Sequence, residues 1–215
     1  MFLSGKRILI TAGPTYERID PVRFIGNYSS GKMGFAIARA CADAGAEVVL
    51  ISGPVQQQIA HQRVKRIDVE SAEQMYEACM ANFPQCDGAV LCAAVADFTP
   101  ISVADQKIKR TGDHLVIELR PTRDIAAALG ATKRNDQFLV GFALETHDAE
   151  AHALEKMQRK RFDFIVLNSL TDAEACFGYD TNKITILKRS GERLAFPLKT
   201  KTEVAADIVK ELEKL

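Results

Sequence analysis

The run RILITAG, residues 7–13, decides the fold. Ile8, Leu9 and Ile10 follow one another with no polar alternation, so this strand has water on neither face. Gly13 and Pro14 then break it with a turn. The same character returns downstream. EVVLISGP (47–54), DGAVLCAAVADF (87–98, running out to Asp97), QFLVGFALET (137–146) and FDFIVLNS (162–169) all read as buried strands, and RVKRIDVE (63–70) as an alternating one. Helical patterns lie between them. SSGKMGFAIARACADAGA (29–46) carries Met33, Ile37, Ala40, Cys41 and Ala44 on one stripe, with Gly45 as its stop. SAEQMYEACMANF (71–83) opens on Ser71 with Gln74 at the capping-box position. DIAAALGATK (124–133) is a short helix, and DAEAHALEKMQRKR (148–161) is one with a basic end. NKITILKR and RLAFPLK form a hairpin within 182–199. The last helix, KTEVAADIVKELEKL, places Val204, Ile208, Leu212 and Leu215 on one face.

Buried strands alternating with helices predict an α/β, doubly wound, Rossmann-like and mostly parallel sheet covered on both faces. One domain is expected over residues 1–215, with residues 98–120 projecting as an arm or flap. Within it KIKRTGDHLVIELRP (107–121) reads as irregular, with a hairpin around Thr111-Gly112-Asp113.

Composition narrows the function. With 47% hydrophobic residues in 215, the chain can bury a sizeable core. Lysine plus arginine and aspartate plus glutamate are 28 each, so overall charge gives no reason to expect nucleic acid or a membrane surface as partner. No apolar run approaches the roughly 18 residues of a spanning helix. MFLSGKRILI lacks a secretory pattern, which makes the cytoplasm the expected compartment. Cys41, Cys79, Cys86, Cys92 and Cys176 are odd in number and contain no C-x-x-C, which argues against a disulfide framework or zinc site. His147 and His152 are five apart, so they do not stack as metal ligands on one helix face.

Ligands of such sheets sit beyond the carboxyl ends of the strands. TAGPT (11–15), GNYSSGK (26–32), AAVADF (93–98), GFALET (141–146) and LNSL (167–170) fall there. GNYSSGKM comes within one residue of the phosphate loop G-x-x-x-x-G-K-[ST], but Met33 stands where a hydroxyl should hold Mg²⁺, and the preceding strand ends near Gly13. Ser29, Ser30 and Gly31 open a helix, whose free amides and positive end suit an anion. The alternative is that Ser30 merely caps that helix. Tyr28 and Lys32 match the Tyr-x-x-x-Lys pair of short-chain reductases. However, no G-x-G-x-x-G follows the first strand, and Ser52-Gly53-Pro54 replaces the ribose-binding acid. The basic groups Lys107, Lys109 and Arg110, with Lys156, Arg159 and Lys160, would meet a phosphate if the arm folds over the sheet edge.

ITAGPT, IDPVRFIGNYSSGKMGFAIA, AAVADF, KIK, GFALET and LNS occur in an order and spacing that resembles phosphopantothenoylcysteine synthetase over nearly the whole chain. DPVRFIGNYSSGKMG is the most specific of these. The resemblance implies a ligase of coenzyme A biosynthesis. CTP would activate 4′-phosphopantothenate as an acyl-cytidylate, which L-cysteine then attacks to release CMP. It implies that Asn27 hydrogen-bonds the substrate or intermediate carbonyl and that Lys107 meets the nucleotide phosphates. It further implies CTP contacts at Leu91, Cys92, Ala93, Asp97, Lys107, Arg123, Asp124, Ile125, Ala126, Phe142, Lys156 and Lys160. Substrate or phosphate contacts fall at Gly13, Asn27, Ser29, Ser30, Gly31, Ala94 and Asn168. Mg²⁺ is expected on the triphosphate, with no protein-built metal site and no flavin in this domain. A homodimer is implied, and fusion to, or association with, a flavin-dependent decarboxylase. Two positions depart from the family pattern: Arg110 ends a motif that often reads K-x-K-K, and Arg123 replaces a common proline. Two other readings remain at this point, an NAD(P)-dependent reductase and a non-catalytic nucleotide-binding partner of a decarboxylase.

Overall fold

A computed structural model describes residues 3–110, 112, 114–145, 148–169 and 179–215. The chain starts with β1 (Arg7–Ala12) and a small hairpin of β2 (Tyr16–Arg18) and β3 (Phe24–Gly26). Next come α1 (Lys32–Asp43), β4 (Glu47–Ser52), β5 (Val64–Asp68), α2 (Ala72–Asn82) and β6 (Gly88–Leu91). Short strands β7 (Phe98–Pro100) and β8 (Leu119–Pro121) follow, and then α3 (Ile125–Thr132), β9 (Phe138–Glu145), α4 (Ala149–Arg159) and β10 (Phe164–Ser169). The remainder is β11 (Thr181–Asn182), β12 (Ile184–Lys188), β13 (Arg193–Ala195), β14 (Lys199–Thr200) and α5 (Lys201–Leu212).

Eight strands form one sheet in the order β13-β12-β10-β9-β6-β1-β4-β5. The six strands from β10 to β5 run parallel, and β12 and β13 add an antiparallel edge. This is the doubly wound sheet the apolar runs predict. The strand order reverses between β1 and β6, so a crevice opens beyond their carboxyl ends.

Burial on both faces explains the unbroken RILI. Ile8 and Ile10 point into a core shared with Phe35, Ile37 and Ile208 of α1 and α5. Leu9 points the other way, into a core with Met75, Leu129 and Met157 of α2, α3 and α4. α2 has the Ser71–Gln74 capping box expected of it, and Thr200–Glu203 form a second one at the start of α5. Val204, Ile208 and Leu212 are buried as the stripe predicts. Leu215 is 57% exposed, because α5 ends at Leu212 and the last residues leave the sheet. No helix among the described residues is long and apolar enough to cross a membrane.

Two expectations change at the sheet edge. The strand predicted to run to Asp97 ends at Leu91. There, side chains replace the ladder: the Ala93 amide donates to Thr11 Oγ1 at 3.2 Å and the Ala96 amide to Thr15 Oγ1 at 3.0 Å. These bonds pull residues 92–97 across the end of β1, where Pro14 bridges Ala94. The helix predicted from Ser29 begins at Lys32. Gly31 is its N-cap at φ 75°, a left-handed conformation that suits glycine, and no side chain caps it, so Ser30 is not the cap.

Residues 101–118 leave and return through the antiparallel β7–β8 ladder, with the Ile101 amide donating to Glu118 O at 3.0 Å. The predicted turn at Thr111-Gly112-Asp113 has Thr111 and Asp113 outside the described residues, as are Cys176 and His147.

Candidate functional site

The crevice at the strand ends divides into two adjoining cavities that share Ala93 and Phe142. Sheet, loop and helix each supply part of the first. Leu91, Ala93 and Asp97 come from the end of β6 and the segment after it, and Phe142 comes from β9. Arg123, Asp124, Ile125 and Ala126 form the start of α3, and Lys156 and Lys160 reach in from α4. Every implied CTP contact except Cys92 and Lys107 therefore lines one cavity.

Its charged groups are held before any ligand arrives. Asp124 caps α3 by accepting from the Ala127 amide at 3.0 Å, and it pairs with Lys160 Nζ at 2.9 Å. Burial pushes the Asp124 carboxyl up, but that amide and Lys160 outweigh it and leave its pKa below the ordinary 3.8. Lys156 Nζ donates to the Phe142 carbonyl at 3.1 Å. Arg123 is oriented differently: its guanidinium makes a two-pronged pair with Glu73 and lies 3.7 Å over the Tyr76 ring, so its charge is already engaged on α2.

The second cavity holds Ser29, Ser30 and Gly31 with Cys92, Ala94 and Asn168. The start of α1 faces it, so the free amides of that helix end point into the space. Burial pushes the Cys92 thiol up to about 12, which makes it a neutral wall rather than a nucleophile. Asn168 Oδ1 is a buried acceptor with no partner among the described atoms. Gly13, at φ 78°, supports this wall: its carbonyl accepts from the Ala94 amide at 2.9 Å, and a Cβ there would meet Val55 Cγ1 at 2.8 Å.

Asn27 is exposed and stands at the rim, where its Nδ2 donates to the Ala94 carbonyl at 2.9 Å. That bond fixes the amide beside the residue preceded by Ala93, which both cavities share. Lys107 lies elsewhere, exposed on the arm in a cavity with Arg23, Lys109, Arg110 and His114. The structure thus brings together all the implied residues except Lys107. The place where a dinucleotide fold holds its ribose acid is taken by Gly53, packed so tightly on Pro14 that a Cβ would fall 1.6 Å from its carbonyl oxygen.

Thr11, Thr122, Phe162, Asn182 and Lys201 also line the cavities and were not singled out from sequence. Thr11 lies in the TAGPT turn, so its position gave a signal. Lys201 gave none, since it is the first residue of a helix nearly at the other end of the chain. It is 9% exposed, and its Nζ donates to the Tyr179 carbonyl at 2.5 Å. Among the described residues, no three His, Cys, Asp or Glu side chains gather as metal ligands.

Fold and cavities together define a doubly wound α/β protein with a two-part cleft at its switch point. Residues 3–215 match the family described as DNA/pantothenate metabolism flavoprotein C-terminal domain, and the chain belongs to that family. It is 44% identical over 213 residues, 99% of the chain, to the coenzyme A biosynthesis bifunctional protein CoaBC of Bacillus subtilis (strain 168), covering 52% of that protein. It is 56% identical over 210 residues to a protein named cysteine/cysteine sulfinic acid decarboxylase from an unknown prokaryotic organism, covering 98% of this chain and 58% of that one. The chain therefore spans about half the length of the curated relatives it matches. The crystal structure of the C-terminal domain of CoaBC superposes with a TM-score of 0.85 at 43% identity, covering 99% of this chain and 96% of that one. The likeness to the synthetase family read from the motifs is borne out.

Proposed function

We propose that the chain is a CTP-dependent phosphopantothenate–cysteine ligase. The carboxylate of 4′-phosphopantothenate attacks the α-phosphate of CTP, forming the mixed anhydride and releasing pyrophosphate. The amine of L-cysteine then attacks the acyl carbon, releases CMP and leaves 4′-phosphopantothenoylcysteine. One observation carries this reading: the two cavities share Ala93 and Phe142, and the Asn27 amide is held at the rim by the carbonyl of Ala94, the next residue after Ala93. An activated acyl group formed there is adjacent to both the nucleotide and the incoming amine, so orientation lowers the barrier of each step. A neutral amide can donate to an oxygen as it gains charge without first pairing permanently with phosphate.

Lys156 and Lys160 supply positive charge for the nucleotide, and Lys107, on the arm beside the hairpin that leads into Asn27, would add its charge at the phosphates. Mg²⁺ would screen the triphosphate. The carboxylates at hand, Asp97 and an Asp124 already held by Lys160, do not make a complete ligand set, so the ion is carried mainly by nucleotide and water. A homodimer fits the exposed apolar residues Val22, Phe24, Ile101, Leu115 and Val116 on hairpin and arm, and we place it in the cytoplasm. The missing half of the curated relatives' length would hold a flavin-dependent decarboxylase, which agrees with the decarboxylase name of one of them.

Pyrophosphate release tests the proposal, measured with CTP or ATP and with or without cysteine. Release that requires CTP and 4′-phosphopantothenate, with product only when cysteine is added, supports it. No release with either nucleotide assigns the domain instead to a non-catalytic partner of a decarboxylase. Lys107→Gln should slow acyl-cytidylate formation by about 10²-fold, as loss of an electrostatic stabiliser does; wild-type release from this variant would remove Lys107 from the mechanism.

A further inference from the structure

The DPVR segment holds a carboxylate that none of these roles uses. Asp20 sits in the turn between β2 and β3 and is 1% exposed, a burial that an aspartate tolerates only when fully paired. Its partners come from two distant parts of the chain. Oδ1 accepts from the Val22 and Arg23 amides, each at 2.8 Å. Oδ2 accepts from the Arg23 guanidinium and, from the arm, from the Ile108 amide at 3.1 Å. Arg23 Nη2 then donates to the Ile108 carbonyl at 2.9 Å. Both backbone polar groups of Ile108 are thus held by one hairpin turn. A second tie, from the Ala104 amide to the Ile19 carbonyl at 3.0 Å, joins the same two segments.

Ile108 lies between Lys107 and Lys109, so what fixes it fixes the basic segment. The other strand of the hairpin, β3, runs directly into Asn27. Tyr16 and Phe24 stack across the hairpin at 3.8 Å, which couples its two strands. The Asp20 carboxylate also offsets Arg23 within a group that includes Lys107, Lys109 and Arg110 and would otherwise repel itself.

We propose that Asp20 is a positioning residue whose carboxylate docks the Lys107–Arg110 segment onto the β2–β3 hairpin, so that the arm's cations and the Asn27 amide keep one fixed relation. Asp20 touches no substrate. What the docked cations act on rests on the ligase reading; the docking itself does not.

Asp20→Asn replaces an acceptor with a donor that faces the Ile108 amide and Arg23. Limited trypsin digestion, followed by mass spectrometry, should show cleavage after Lys109 or Arg110 about 10-fold faster than in wild type, the scale of one lost charge-assisted hydrogen bond. Pyrophosphate release should slow by a similar factor, and Asp20→Asn combined with Lys107→Gln should be no slower than Lys107→Gln alone, because both changes disable the same cation. Where Asp20→Asn does not fold, Asp20→Ser, which keeps a short acceptor but removes the charge, should give the same cleavage and rate. Unchanged cleavage overturns the docking. Faster cleavage with unchanged release, or a double variant slower by the product of the two single effects, overturns the positioning role. Should wild type release no pyrophosphate, the ligase reading fails, while the cleavage rates still decide the docking.

Discussion

Asn27 and Asp20 show what a single side chain decides. Asn27→Asp keeps the size of the side chain but, in the proposed reaction, puts an anion where the acyl oxygen would gain charge. Acyl-cytidylate should therefore accumulate while ligation slows, which quenched-flow trapping of the intermediate would detect; ligation at the wild-type rate would refute the role. Asp20 carries a pH signature. The Arg23 guanidinium first, and then the Val22, Ile108 and Arg23 amides, hold its carboxyl well below the ordinary 3.8, against the upward push of burial. Its folded pKa is depressed, so its contribution to stability is complete above 3.8 and is lost as pH falls through the folded value. The gap in unfolding free energy between wild type and Asp20→Asn should stay constant well above 3.8 and narrow as the pH drops below it. A gap that widens in acid would contradict the pairing.

At the scale of elements, the approach of α1 to β1 sets the second cavity. Gly34 lets them touch: a Cβ there would lie 2.5 Å from Ala12 Cβ and 3.2 Å from the Thr11 carbonyl. Gly34→Ala gains about 1 kcal/mol of helix propensity. Against this stands an overpacking cost of about 1–3 kcal/mol. Neither neighbour can rotate away, since one is a methyl and the other backbone, so the clash should win. Urea unfolding at unchanged m-value should show a net loss; a more stable variant would mean that α1 can slide outward. These elements were legible because their patterns are local. Apolar runs marked the buried strands and alternation marked β5, and Ser71 with Gln74 marked a helix start. The boundaries were legible only in part. Residues 87–98 read as one strand because their composition is largely apolar, and the hydroxyls of Thr11 in β1 and Thr15 in the turn after it draw the chain out of the ladder beyond Leu91.

For the molecule as a whole, the question is what the hairpin and arm face. Val116 is 84% exposed and Leu115 53%, and Val22 and Phe24 of the hairpin are exposed as well. Val116→Asp should shift a dimer to a monomer in light scattering without lowering the melting temperature, because an exposed position adds little to the fold. A wild-type chain that is monomeric at all accessible concentrations would rule out the dimer.

The sequence by itself determined the α/β class, the chain order of the main-sheet strands and the helices, and the ligand edge, because burial on both faces writes continuous apolar runs and helices write a 3.6-residue period. It did not mark the β2–β3 hairpin. The family resemblance its motifs carry also pointed to Asn27 and to sixteen residues that line the two cavities. Tertiary structure alone decided the rest. It split the cleft in two, engaged Arg123 with Glu73 and Tyr76, brought Lys201 from the last helix to the first, and tied Ile108 to Asp20. Those contacts join residues far apart along the chain, and no local periodicity records which distant partner a buried charge will meet.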